Sequence, residues 1–140
     1  MSIELGLKGH AETTVVFENT AAAVGSGLVP VFATPSMIGL MEQAASASLT
    51  DYLEEGQGSV GVHLDVSHES ATPIGMKVWA ESEVTAVDGR QITFAVAAYD
   101  EVGLIGRGTH KRAIITVDRF LARIVTRGSL WEYWRLCSWY

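Results

Sequence analysis

Three side chains invite a chemical reading before any fold is assigned. Between Thr34 and Leu53 the only acidic or basic side chains are Glu42 and Asp51. Glu42 sits among Gly39, Leu40, Met41, Ala44 and Ala45. A dry, unpaired carboxylate in such surroundings costs several kcal/mol, so Glu42 needs a partner, water or a displaced pKa. A helix face that reaches solvent or a subunit interface would also meet that need. His68 closes an alternating row, Val60, Val62, Leu64 and Val66, whose side chains are expected on one inward face of a strand. Thr34 precedes Pro35 at the head of the segment that carries Glu42. A carboxylate, an imidazole and a hydroxyl together suit nucleophilic or general acid–base chemistry.

The elements that must position these groups follow from periodicity. Thr34 as N-cap and Pro35 at the first helical position predict a helix start. Met37, Leu40, Met41, Ala44, Ala45, Ser48, Leu49 and Tyr52 then recur at helical spacing. Ile38, Ala47 and Leu53 make the other faces apolar, so the helix is expected to be buried nearly all round. The break Gly56-Gln57-Gly58 ends it. Residues 11–17 predict a first strand, and 19–31 a mobile connection. Residues 59–68, 76–87, 91–99 and 105–117 predict four more strands in an antiparallel meander, with Asp88-Gly89 as a hairpin turn. An antiparallel sheet wrapped around one central buried helix is an α+β hotdog fold, and its open edge strand is expected to pair with a second copy in a homodimer.

At 1.5 Å per residue, an unbroken helix separates Thr34 from Glu42 by about 12 Å. Contact between them therefore requires a broken helix start, a second subunit, or a ligand that spans both. The helix N-terminus offers free N–H groups from Ser36 to Gly39, able to hold a developing oxyanion. His63 falls on the strand face opposite His68, so those two cannot share a metal, and no zinc-like spacing is present.

Composition narrows the classes. The chain has 140 residues, a formal charge of −6 and 48 % apolar residues, which suits a single packed domain. No basic run suggests nucleic acid. One cysteine, Cys137, excludes an internal disulfide framework. The uncharged stretch between Glu18 and Glu42 is punctuated by Gly25, Gly27, Pro30, Pro35 and Gly39, a poor fit to a membrane span. No apolar signal region precedes it, so a cytoplasmic location is expected. Residues 1–127 are expected to form the domain, and 128–140, with Trp131, Tyr133, Trp134, Trp139 and Tyr140, an aromatic-rich extension.

Four motifs in order carry a resemblance: Val31-Phe-Ala-Thr-Pro-Ser-Met-Ile-Gly-Leu-Met-Glu42, Gly58-Ser-Val-Gly61 through Val66-Ser-His68, Ala71-Thr72-Pro73-x-Gly75, and Gly108-Thr-His-Lys-Arg-Ala113. From about residue 11 to 124 the chain resembles the fluoroacetyl-CoA thioesterase-like family of hotdog acyl-CoA thioesterases. The resemblance implies a homodimer that hydrolyses an acyl-CoA thioester without metal or other cofactor. It puts the catalytic Thr, Glu and His on Thr34, Glu42 and His68, a glycine near the thioester on Gly61, and a ligand-contacting arginine on Arg112. Ser36 joins these as a binding residue from the helix start. The fluoroacetyl-specific member has aromatic lid residues before the Val-Phe-Ala segment. Here residues 19–31 contain no aromatic, with Gly25 and Leu28 in the relevant stretch, so the acyl group stays open.

On this reading Glu42 attacks the thioester carbonyl or positions water, and His68 serves as base toward water and acid toward the thiol. Arg107, Lys111 and Arg112, in one strand, are candidates for the CoA phosphates. An acyl-CoA hydratase or dehydratase of the same fold, and a non-catalytic acyl-CoA-binding module, are the competing classes.

Overall fold

The computed structural model describes residues 2–127 and Leu136. Residues 128–140, expected as an extension, otherwise lie outside the described part. Strand β1 (Lys8–Thr14) leads through a 3-10 turn at Phe17–Asn19 and a single helical turn, α1 (Ala21–Val24), to the long helix α2 (Thr34–Leu49). Strands β2 (Gln57–His68), β3 (Lys77–Asp88), β4 (Gln91–Asp100) and β5 (Leu104–Thr116) follow, then helix α3 (Val117–Val125). The sheet order is β1-β3-β4-β5-β2, every neighbouring pair antiparallel. This is the hotdog fold, with α2 lying against the curled sheet. Among the described residues no helix is long and apolar enough to cross a membrane.

Four sequence expectations need correction. Only β3-β4-β5 is a meander; β2 crosses to the far edge and pairs with β5, because strand order is set by which apolar faces meet, not by chain order. The first strand ends at Thr14: Val15 is fully buried, yet Val16 and Phe17 turn outward. The connection 19–31 is tied down, since the Thr20 hydroxyl accepts from Ala23 N at 3.3 Å to cap α1 and Thr20 bridges Phe32.

Helix α2 is the fourth. It buries Met37, Leu40, Met41, Ala44, Ala45 and Leu49 against β1, β3 and parts of β2 and β4. Each fully buried Met or Leu contributes roughly 1.5–3 kcal/mol. Pro35, Gly39, Gln43 and Ala47 form an exposed stripe at four-residue spacing, with Ile38 and Glu42 at its border. The sheet therefore covers one side of the helix, and the acid lies where the covered and open sides meet.

Candidate functional site

Two clusters carry the chemistry, one at each end of this arrangement. The first is at the start of α2. Ala33, not Thr34, is the N-cap, and no side chain caps the helix. Thr34 stands within the first turn, its hydroxyl spared the usual capping duty. It lies instead 2.7 Å from His68 Nδ1 at the end of β2. The neighbouring loops enforce that meeting: Phe32 N donates to Thr72 O at 2.9 Å, Val31 bridges Pro73, and Glu69 and Ser70 N–H groups bond to Ile105 O. The Thr72 hydroxyl donates to Asp100 Oδ2 at 2.8 Å, anchoring the 69–76 connection to the β4–β5 turn. Among the described residues His68 Nε2 is buried without a hydrogen-bond partner. Burial pushes the His68 pKa down, opposed in part by the Ser70 backbone. The pair opens into a cleft of about 220 Å³ lined by Ala21, Ser26, Val31, Phe32, Glu69 and Ala71 among others. Ser36 is half-buried in the same helical turn.

The second cluster surrounds Glu42, two helical turns on. Arg112 Nη1 lies 3.5 Å from Glu42 Oε2. The guanidinium is 8 % exposed and the carboxylate side chain 37 %. Arg112 also donates from Nε to Ser59 Oγ (2.9 Å) and from Nη2 to Ser59 O (3.0 Å). Gly61 sits directly opposite Arg112 on β2, and a Cβ there would collide with Glu42 Oε2. Only glycine lets the strand pass this close to the acid.

A bulge reconciles the two clusters on one strand. The β2–β5 register slips between Gly61 and His63. Strict alternation would put Val60 and Val62 on the face of Leu64, Val66 and His68. The extra residue instead turns Ser59 and Gly61 to that inner face and leaves Val62 half exposed at 50 %. The expected inward row therefore holds only from Leu64 onward.

The strand β5 also corrects an expectation. Arg107 and Lys111 are exposed, whereas Arg112 is buried and committed to Ser59, His110 and Glu42. The three cations do not form one phosphate-binding patch. His110, not among the residues expected from the sequence, is fully buried beside Arg112. A detectable signal existed: His110 and Arg112 at i and i+2 share one face of a strand whose ends are apolar. Among the described residues no three His, Cys, Asp or Glu side chains are grouped to hold a metal ion.

Within one chain, then, Thr34 meets His68, and Glu42 meets Arg112 and Gly61. Comparison with known proteins adds the family context. Residues 15–118 match the family described as fluoroacetyl-CoA-specific thioesterase. The fluoroacetyl-CoA thioesterase of Streptantibioticus cattleyicolor is 45 % identical over 94 residues, covering 67 % of this chain and 68 % of that protein. A solved structure of the fluoroacetyl-CoA thioesterase FlK superposes with a TM-score of 0.87 at 34 % identity, over 91 % of this chain and 99 % of the other. A hypothetical protein of Thermus thermophilus described as a thioesterase superfamily member gives 0.85 at 30 % identity, over 94 % and 97 % of the two chains.

Proposed function

The chain belongs to the fluoroacetyl-CoA-specific thioesterase family, and from that premise we propose that it hydrolyses a short acyl-CoA to the free acid and CoA through Thr34, Glu42 and His68. The observation that carries this reading is the 2.7 Å contact between Thr34 Oγ1 and His68 Nδ1. If Nδ1–H donates to the threonine hydroxyl, Nε2 is left bare, and burial keeps the ring neutral. A bare, unpartnered Nε2 is what a base toward water requires.

In the first step a Glu42 carboxylate oxygen attacks the thioester carbonyl. The oxyanion is held by the Thr34 and Ser36 N–H groups, since Pro35 has none and Met37 N, expected among the donors, already bonds to Ala33 O, and the C–S bond breaks to release CoA thiolate and leave an acyl–Glu42 anhydride. In the second, His68 Nε2 takes a proton from water as its oxygen attacks the Glu42 carboxyl carbon of the anhydride, and the bond from that carbon to the bridging oxygen breaks. The acid departs, the Glu42 carboxylate is restored, and the imidazolium passes its proton to the thiolate or to solvent. Neither step calls on a metal or organic cofactor.

Glu42 and the Thr34–His68 pair lie about 12 Å apart along α2, so a second copy completes the site. Among the described residues strand β2 is paired on one side only. Antiparallel pairing of two β2 edges about a two-fold axis sets the His68 end of one strand against the Gly61 end of the other. Thr34 and His68 then face the partner subunit's Glu42. The cleft wall from residues 19–31 carries Ala21, Ser26 and Val31, small side chains where the family resemblance leads one to expect aromatics. Acyl groups larger than fluoroacetyl are accordingly expected to be accepted.

A thiol-release assay over a panel of acyl-CoAs, fluoroacetyl-CoA and acetyl-CoA included, tests the proposal with Glu42→Ala and His68→Ala beside the parent. Both variants should lose turnover; parent-like rates in either would remove that residue from the mechanism. A single turnover in H₂¹⁸O should leave label in Glu42. An unlabelled Glu42 would reassign it to holding the water.

A further inference from the structure

The mechanism above gives no task to the most deeply buried titratable group, His110. His110 is fully buried on β5, stacked on Phe94 with centroids 6.1 Å apart. Its Nδ1 lies 2.8 Å from the His63 carbonyl oxygen. A carbonyl can only accept, so Nδ1 carries a proton. Its Nε2 lies 3.2 Å from Arg112 Nη1. A guanidinium can only donate, so Nε2 must be the bare nitrogen of a neutral ring. The two contacts together permit one tautomer and exclude the imidazolium. Burial pushes the His110 pKa down, and the Arg112 charge adds to that effect, with the His63 carbonyl and Glu42 opposing.

The consequence runs outward from the core. Arg112 is fixed on three sides: by Ser59 Oγ and Ser59 O at one end of the guanidinium, and by His110 Nε2 at Nη1. The remaining Nη1 hydrogen faces Glu42 Oε2 at 3.5 Å. Without an acceptor at Nε2, one Nη1 hydrogen is left buried and unpaired and Ser59 alone holds the guanidinium plane, so the contact that sets the carboxylate is weakened. We propose that His110 is a positioning residue of the hydrolase, a neutral acceptor that orients Arg112 and through it sets the carboxylate of Glu42. This rests on the role proposed for Glu42. A histidine suits the position because it donates inward to the strand backbone and accepts outward from a cation. Phe94 holds its plane, and a protonated ring would repel Arg112.

Two substitutions divide the ring's two bonds. His110→Asn places an amide N–H where Nδ1 stood and keeps the bond to His63 O, but offers nothing to Arg112. His110→Gln places a carbonyl oxygen where Nε2 stood and keeps the bond to Arg112. With fluoroacetyl-CoA or the best substrate of the panel, His110→Asn should lower kcat by up to about 100-fold, the cost of a small misplacement of a reacting group. KM should stay near the parent value, because Arg112 keeps both bonds to Ser59 and no residue lining the Thr34–His68 cleft is changed. His110→Gln should restore most of kcat. Equal losses in both variants, or none in either, would overturn the proposal and leave His110 a packing residue.

A second measurement needs neither folded variants nor activity. In ¹⁵N-histidine-labelled parent protein, His110 should hold the Nδ1–H neutral form from about pH 5 to 8, the range in which an ordinary histidine titrates. The charged and titratable groups facing it are His63 on β2, Arg112 beside it on β5 and Glu42 on α2. Titration within that range, or an Nε2–H signal, would overturn the assignment. If Glu42→Ala hydrolyses as fast as the parent, the proposed mechanism fails, while the nitrogen spectrum still decides whether His110 accepts from Arg112.

Discussion

Gly61→Ala separates catalysis from stability more cleanly than removal of the acid itself. Gly61 is not among the glycines with positive φ, so alanine fits the backbone. Replacing glycine within a strand recovers roughly 0.5–1 kcal/mol of conformational entropy. The added methyl would collide with Glu42 Oε2 and approach His110 Cε1 to 3.1 Å. Glu42 is the partner able to move, because its side chain is 37 % exposed at the border of α2 while His110 is locked in the core. Swinging the carboxylate out breaks its contact with Arg112, and an ion pair with one exposed member contributes only about 0–1 kcal/mol. The two terms nearly cancel. The expected change in stability is within about 1 kcal/mol, a Tm shift of a few degrees at most. The carboxylate proposed to react, however, is displaced by more than an ångström, and kcat should fall about 100-fold. Thermal unfolding and thiol release on the same sample read both quantities. A Gly61→Ala protein with the parent's kcat would show that Glu42 does not act from beside Gly61. A variant that unfolds would show that the strand yields in place of the side chain.

Three further outcomes are expected. Mixing and reassembling Glu42→Ala with His68→Ala chains should restore about a quarter of parental turnover, since half of the dimers are then mixed and each holds one intact site; no recovery would place both residues in a site within a single chain. The acid limb of kcat/KM should lie below the ordinary histidine value of 6.5, because burial lowers the His68 pKa and keeps the base neutral as pH falls; a limb at or above that value would remove His68 as the base. At Asp100, burial raises the pKa, but bonds from Thr72, Val102 N and Gly103 N outweigh it, and the net shift is downward. Its contribution to stability is therefore complete above the ordinary value of 3.8 and lost as pH falls through the depressed one. Asp100→Asn should cost about 1–3 kcal/mol at neutral pH and flatten the acid dependence of unfolding in urea.

How much of this was legible in the sequence differs between fold and site. The period of 3.6 in residues 34–53 and of 2 in the last four strands marked α2 and β2–β5 to within a residue or two at most ends. Strand order was not legible, because β2 pairs with β5 across the sheet and no local pattern names a partner. Helix α3 is too short to announce itself by period, although Phe120, Leu121, Ile124 and Val125 are half-buried and Asp118, Arg119 and Arg123 exposed. Thr34 and Glu42 were identified by chemistry out of place. The Thr34-Pro35 pattern reads as a cap in sequence, whereas Ala33 holds the cap position and the threonine hydroxyl meets His68.

The bulge in β2 explains why alternation alone misleads here, and why the strand needs it. Gly61 and His68 differ by seven positions, so in a regular strand they point to opposite faces. The candidate site requires both on the inner face, one beside Glu42 and the other beside Thr34. A single inserted residue changes the parity between them. Val62 absorbs that insertion, and His63, next to it, supplies the carbonyl that accepts from His110 Nδ1. The same irregularity thus turns Gly61 toward the acid and gives the buried imidazole its acceptor, while His68 keeps its inward direction. A regular strand would expose either the glycine that admits Glu42 or the histidine that meets Thr34, so the local break in the ladder is the geometric condition for a site built from both.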